Sequence, residues 1–297
     1  MSRHFLVFLL AGVINLNIFV LKGQQSKLSD LYQLNAGNVC LIVDASLGAR
    51  VVSLKMDGNE FLSGKEVHPE NFGSTFWTSP QKDWGWPPSP VLDSKPYQTK
   101  KNSKGYLFTS GIEHGCSYQV MKQFIANEMD TSFTITYTIK NVSDTMRKVA
   151  AWEITRVPGS GITFFAGDTS QFLAESNLKT EHNYDLNWFV YKPNHFARKL
   201  YINGKGWLAF TNKNGLLVKS FPDNPVGSAA PVEEEVEVYV HPDITYIELE
   251  NQSVYSELQP GQTFSWAVKW FLRKAVTGTF LPSTELKDEV NRILTNN

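Results

Sequence analysis

The stretch Phe133-Thr134-Ile135-Thr136-Tyr137-Thr138-Ile139 sends Phe133, Ile135, Tyr137 and Ile139 to one side and the threonines to the other. Successive side chains of an extended chain point to opposite faces, so strict period-two alternation predicts a strand with one buried face. The same reading extends in both directions. Val236, Val238 and Val240 alternate with Glu235, Glu237 and Tyr239, and Phe264, Trp266, Val268, Trp270 and Leu272 share one side of another run. Strand patterns also cover 39–43, 49–55, 106–110, 117–125, 149–156, 162–165, 207–211 and 215–221. Turn chemistry such as Asp57-Gly58-Asn59, Asn203-Gly204-Lys205-Gly206 and Asn212-Lys213-Asn214-Gly215 separates them. Many short strands with no helix between them predict an all-β fold of antiparallel sheets stacked face to face. Helical periodicity comes last: Ser283 or Thr284 caps a segment over 283–297 whose Leu286, Val290, Ile293 and Leu294 form one apolar stripe, and this helix is expected to lie on the sandwich. No repeat or low-complexity linker divides the chain, and the Pro-containing 222–231 segment reads as a surface loop. Residues 24–297 are therefore expected to form one domain.

The first 23 residues stand apart. Arg3 and His4 precede an apolar run from Phe5 to Val20, followed by Lys22-Gly23-Gln24-Gln25, which is the layout of a secretory signal peptide cleaved after Gly23. The run is shorter than the ~20 residues a spanning helix needs, so the expectation is an exported protein, periplasmic or extracellular, with no membrane attachment after processing. The formal net charge of −1 over 297 residues, without long blocks of one sign, removes the electrostatic footprint of a nucleic-acid binder. Cys40 and Cys116 are too few for a disulfide scaffold and resemble no metal site; they either pair or remain buried thiols. GxSxG, HExxH, P-loop and dinucleotide motifs are absent from the sequence, and isolated acidic residues such as Asp168 and Asp223 are poor calcium ligands. No metal and no cofactor is expected.

Between Phe72 and Tyr97 the chain carries Trp77, Trp84, Trp86 and Tyr97 together with prolines at 80, 87, 88, 90 and 96. Proline fixes φ and removes a backbone donor, so this segment is expected to be a stiff loop rather than a helix or central strand. Two readings are open: a loop folded on its own core, or a platform of aromatic rings, with Gln81 among them, that meets the apolar face of a sugar. Near the other end, Thr245 to Gln252 reads as a strand with Ile247 and Leu249 toward the core. Tyr246, Glu248 and Glu250 then share the opposite face. Two carboxyls about 7 Å apart on one face either sit in solvent as ordinary glutamates or, if buried, repel and raise a pKa into the range of acid–base work.

Three segments carry a resemblance. NVCLIVDASLGARVVSLKMDGNEFL, ITYTIKNVSDTMRKVAAWEITRV and YIELENQSVYSELQPGQTFSWAVKW resemble the first hairpin, the middle strand-turn-strand unit and the closing unit of galactose mutarotase-like proteins. The Phe72–Tyr97 stretch and WEITRV are similar to an uncharacterised exported bacterial branch, a domain of unknown function. The resemblance implies a β-supersandwich whose concave face binds carbohydrate. It also implies that Glu250, in IELENQ, matches the glutamate general base of the aldose epimerases. The family's histidine acid has no match, because Trp152-Glu153-Ile154-Thr155-Arg156 occupies its place. Glu153 or Glu248 is then the candidate substitute acid, and Arg156 either holds a carboxylate or ring oxygen of an acidic sugar or forms an ion pair with Glu153 or Glu248. His114 and His241 are expected at solvated turns. The functions in view are a carbohydrate-binding protein that acts on its sugar as a mutarotase, epimerase or lyase, a noncatalytic binding module, and an assembly protein whose aromatic loop mediates contacts.

Overall fold

A computed structural model describes residues 30–115, 117–193, 195–242, 246–276 and 280–295. The signal-peptide segment 1–23 and Cys116, with any bond from it to Cys40, lie outside these residues. In chain order the strands are β1 (Leu31–Ala36), β2 (Val39–Asp44), β3 (Arg50–Met56), β4 (Asn59–Glu60), β5 (Ser74–Ser79), β6 (Gln98–Asn102), β7 (Gly105–Glu113), β8 (Tyr118–Asn127), β9 (Ser132–Asn141) and β10 (Arg147–Pro158). They continue with β11 (Ile162–Phe165), β12 (Glu181–Asn183), β13 (Leu186–Val190), β14 (Arg198–Ile202), β15 (Trp207–Asn212), β16 (Gly215–Ser220), β17 (Val236–Val240), β18 (Tyr246–Gln252), β19 (Ser256–Leu258) and β20 (Thr263–Arg273). A single turn of helix, α1 (Pro90–Asp93), follows β5, and α2 (Thr284–Thr295) comes last.

The strands form two antiparallel sheets, ordered β1-β2-β3-β5-β10-β18-β17-β14 and β12-β13-β11-β15-β16-β20-β9-β8-β7-β6, with β4 and β19 added to the first. Alternation decides which side chains meet between them: Leu41, Phe76, Val238 and Leu249 from the first sheet join Val120, Ile135, Leu217 and Val268 from the second in one core. The outer face of the second sheet is apolar too, and α2 covers it. Leu286, Val290 and Ile293 pack with Phe164, Trp188, Trp207 and Phe271. Each such fully buried side chain contributes about 1.5–3 kcal/mol relative to exposure.

The expectation that 72–97 is loop throughout is corrected: Ser74–Ser79 is β5, buried along its whole length and hydrogen-bonded into the middle of the first sheet, next to β10. All the prolines fall after it. With both faces covered, β5 shows no hydrophobic-polar alternation, and the proline cluster masks its Thr-Phe-Trp-Thr β propensity. Phe76 enters the core and stacks on Tyr137 at 4.5 Å, while Trp77 points to the other side.

Charged groups also bridge the two sheets. Lys219 Nζ lies 2.9 Å from Glu153 Oε1, both side chains at 0% exposure. Tyr137 OH and the Trp270 indole N–H donate to the same carboxyl, and Lys219 also donates to Thr155 Oγ1 and the Leu249 carbonyl. Lys122 is buried elsewhere in the core, donating to the Gly48 carbonyl at 2.6 Å under the ring of Tyr97. Gly48 has φ +63°, and a Cβ there would stand 2.0 Å from the Asp93 carbonyl oxygen. Glycine is thus required for α1 to close on the β2–β3 turn, and that closure delivers Asp93 to the outer face.

Candidate functional site

Cross-strand register builds a site on the outer face of the first sheet, away from the second. Trp77 on β5 is opposite Trp152 on β10. Arg156 is opposite Glu248 on β18, Glu248 opposite Tyr239 and Glu250 opposite Glu237 on β17, and Tyr239 opposite Lys199 on β14. Residues directly opposite in antiparallel strands have Cβ atoms about 4.5–5.5 Å apart, so these pairs touch without any loop having to place them. The aromatic members pack edge to face: Trp77 lies 5.3 Å from Trp152, 5.7 Å from Trp84 and 5.7 Å from Trp86.

Glu250 is 1% exposed. Its Oε2 accepts from the Trp152 indole N–H at 2.9 Å and from Lys199 Nζ at 2.9 Å, while its Oε1 is buried with no hydrogen-bond partner among the described residues. Lys199 Nζ also stands 2.6 Å from Glu237 Oε2 and 5.0 Å from the centres of the Trp152 and Tyr201 rings. Burial works against the Lys199 ammonium, but Glu237 and Glu250 outweigh it and hold its pKa well above the usual lysine value. Glu237, fully buried, is pushed well above the usual carboxyl range by desolvation, with Lys199 opposing and Glu250 adding. Burial likewise raises Glu248, against the pull of Arg156. Neither strand glutamate is an ordinary solvated one.

Arg156 is 0% exposed. Its Nε donates to Glu248 Oε1 at 2.8 Å and its guanidinium carbon lies 5.5 Å from the Trp77 ring centre. From the other side, Asp93 accepts from the Trp77 indole N–H at 2.8 Å and from Thr75 Oγ1 at 2.7 Å, and is paired with Arg50 at 3.1 Å. Trp77 is therefore held by its edge and its face.

Above these groups lies a cleft of about 400 Å³. Of the sequence candidates, Trp77, Gln81, Trp86, Glu248 and Glu250 line it together. Arg156 sits beneath the lining, and Trp84 packs behind Trp77 with its indole N–H donating to the Thr78 carbonyl. Two candidates are elsewhere. Tyr97 is a core residue whose hydroxyl donates to the Leu92 carbonyl, and Glu153 faces the second sheet. In a strand, residues 153 and 156 have opposite parity and cannot share a face, so Glu153 can be neither the substitute acid beside Glu250 nor the partner of Arg156. His241, expected at a solvated turn, is instead half-buried, tilted against Tyr246 with ring centres 4.8 Å apart, and lines the cleft. Its backbone N–H donates to the Tyr246 carbonyl, which carries it onto the site face.

Sequence reasoning missed Trp152, Lys199, Tyr201 and Asn71. The Lys199–Tyr201 pair alternates with Leu200 and Ile202 and so was readable; Asn71 lies in an irregular segment that carries no pattern. Among the described residues, no group of three or more His, Cys, Asp or Glu side chains is placed to hold a metal ion, and no helix is long and apolar enough to cross a membrane.

No protein-family model and no curated protein matches the chain. Solved structures do. An Escherichia coli K12 protein whose assignment as an aldose 1-epimerase is provisional superposes with a TM-score of 0.61 at 12% identity, over 82% of this chain and 99% of that one. A galactose mutarotase related enzyme from Lactobacillus acidophilus gives 0.58 at 10% identity, over 85% of this chain and 100% of the other. A TPR-domain containing protein from Parabacteroides distasonis gives 0.63 at 14% identity; 86% of this chain is covered and half, 50%, of that one. These identities establish architecture alone. The two stacked antiparallel sheets with their single C-terminal helix have the galactose mutarotase-like fold.

Proposed function

We propose that the cleft binds a carbohydrate ring against the indoles of Trp77 and Trp86, with Glu250 Oε1 receiving one of its hydroxyls. The observation that carries this reading is that unpartnered oxygen. A buried acceptor without a donor costs about 1–3 kcal/mol, and a hydroxyl-bearing ligand removes the cost. Lys199 and the Trp152 indole hold the other oxygen, which fixes the direction in which Oε1 accepts. Rings for the apolar face of a sugar and fixed polar groups for its hydroxyls are the two requirements of such a site. Arg156 is not on the wall of the cleft, but its Nη1 and Nη2 are buried without a hydrogen-bond partner among the described residues, so the acidic hexoses stay in the panel below.

A second reading, acid–base transformation of the sugar, is favoured by His241. It packs against Tyr246 at 4.8 Å and lines the cleft together with Glu248 and Glu250, and imidazole is the side chain most often used for proton transfer in catalysis. Calorimetric titration with neutral, acidic and phosphorylated hexoses, run beside polarimetry of fresh α-anomers, separates the two. Binding without faster mutarotation leaves a binding protein, acceleration lost in His241→Ala makes it an enzyme, and neither binding nor turnover removes the small-sugar reading. Export belongs to the same proposal, on the layout of residues 1–23. Intact mass of the recovered protein should lack about 23 residues, and a mass that retains Met1 contradicts it.

A further inference from the structure

A second cleft, about 340 Å³, adjoins the first. The two share Asn71, Trp77 and Trp86. Trp86 is 59% exposed and meets Trp77 edge-on, with ring planes at 81°, so its indole forms a ridge that borders both clefts. An exposed indole that borders two hollows offers an apolar surface to each of them. The floor beneath is rigid, because Asp93, Arg156 and the neighbouring indoles hold Trp77.

The cations of the second cleft are matched in number by carboxylates: Arg50 and Lys65 line it together with Glu70 and Asp93. Arg50 Nη1 donates to the Glu70 carbonyl and Nη2 to Asp93, leaving its buried Nε without a partner, and both Arg50 and Lys65 lie over the ring of Phe72. Burial lowers the Arg50 pKa to about 10, against the pull of Asp93. The N–H groups that Arg50 has left over suit a hydroxyl. A phosphate favours an uncompensated positive charge, and the two cations here share the wall with two carboxylates.

We propose that the ligand is a neutral oligosaccharide of at least two residues, one ring in the Glu250 cleft and the next in the Arg50–Phe72 cleft, passing over Trp86. This rests on the carbohydrate reading and narrows it to a substrate class. The test is calorimetry of the full chain with gluco-, galacto-, manno- and xylo-oligosaccharides of one to four residues, and with hexose 1- and 6-phosphates. In one series, affinity should rise about tenfold or more from one residue to two, the worth of one stacked and hydrogen-bonded ring. Ser94→Phe, which puts bulk on the wall of the second cleft alone, should abolish that rise and leave monosaccharide affinity unchanged. Trp86→Ala should weaken both. A monosaccharide that binds as tightly as its oligomers overturns the inference while the sugar reading stands. Hexose phosphates binding tighter than every dimer also overturn it, since the second cleft is then an anion site. If no member of any series binds, the carbohydrate reading falls together with it.

Discussion

Lys199 Nζ donates to Glu250 Oε2 at 2.9 Å from a strand that lies two places away in the sheet, β17 standing between them. The same ammonium reaches Glu237 on that intervening strand at 2.6 Å. One cation from an edge strand thus compensates two carboxyls that the fold has buried, and the second oxygen of Glu250 is left without a hydrogen-bond partner among the described residues.

Removing that cation while keeping its bulk, as in Lys199→Met, leaves two carboxyls buried without compensation. Breaking a buried pair in this way costs about 3–5 kcal/mol. Chemical denaturation should show a loss of that order, and sugar affinity should fall with it. Wild-type stability in Lys199→Met would mean that the pair contributes nothing.

Glu153 serves as the contrasting case. It is buried with Lys219 on the inner face, so Glu153→Gln should lower stability by a similar order, about 3 kcal/mol, and leave sugar affinity unchanged. Calorimetry and denaturation on one variant check both halves. Lost affinity with intact stability would return Glu153 to the site.

Lys122 supplies a pH signature. Burial pulls its folded pKa down from 10.5 to about 7, with Asp93 opposing. Between these values the unfolded chain binds more protons at this residue than the folded one. Stability from this group therefore rises with pH between about 7 and 10.5, by at most about 1.4 kcal/mol per pH unit. Lys122→Met should flatten that segment of the stability profile. A wild-type profile already flat there, or one falling with pH at Lys122, would show that the ammonium stays charged in the core.

Deleting residues 284–297 uncovers the apolar outer face of the second sheet under Leu286, Val290 and Ile293. The expected result is a lower melting temperature and concentration-dependent association through the bared face. An unchanged melting temperature would mean that α2 does not hold to the sheet.

Most of the strands were readable because half-buried strands advertise themselves by alternation. Phe133–Ile139 and Phe264–Leu272 appear as read, paired with each other in β9 and β20, and α2 covers the segment its stripe marked. What escaped was buried on both faces, where alternation vanishes. Strand β5 is one such case, and Glu237 is another, since a glutamate opposite three valines reads as solvent-facing until a lysine from β14 is known to neutralise it. Glu250 was found through resemblance, but its partners Trp152 and Lys199 lie 98 and 51 residues away in sequence. Pairing across that distance is a property of sheet order. Parity within a strand was available from the start and separates Glu153 from Arg156.

The central claim is that Glu250 accepts a sugar hydroxyl at the floor of the aromatic cleft. Calorimetric titration of wild type and Glu250→Gln, with the best ligand from the sugar panel, tests it most directly. Wild type should bind, and the variant, still folded at the titration temperature although loss of the buried Lys199 pair lowers its melting temperature, should lose about tenfold or more in affinity, since an acceptor for a hydroxyl is replaced by a mixed amide. Equal affinity in the two proteins would contradict it and leave Glu250 as a structural partner of Lys199 and Trp152 alone.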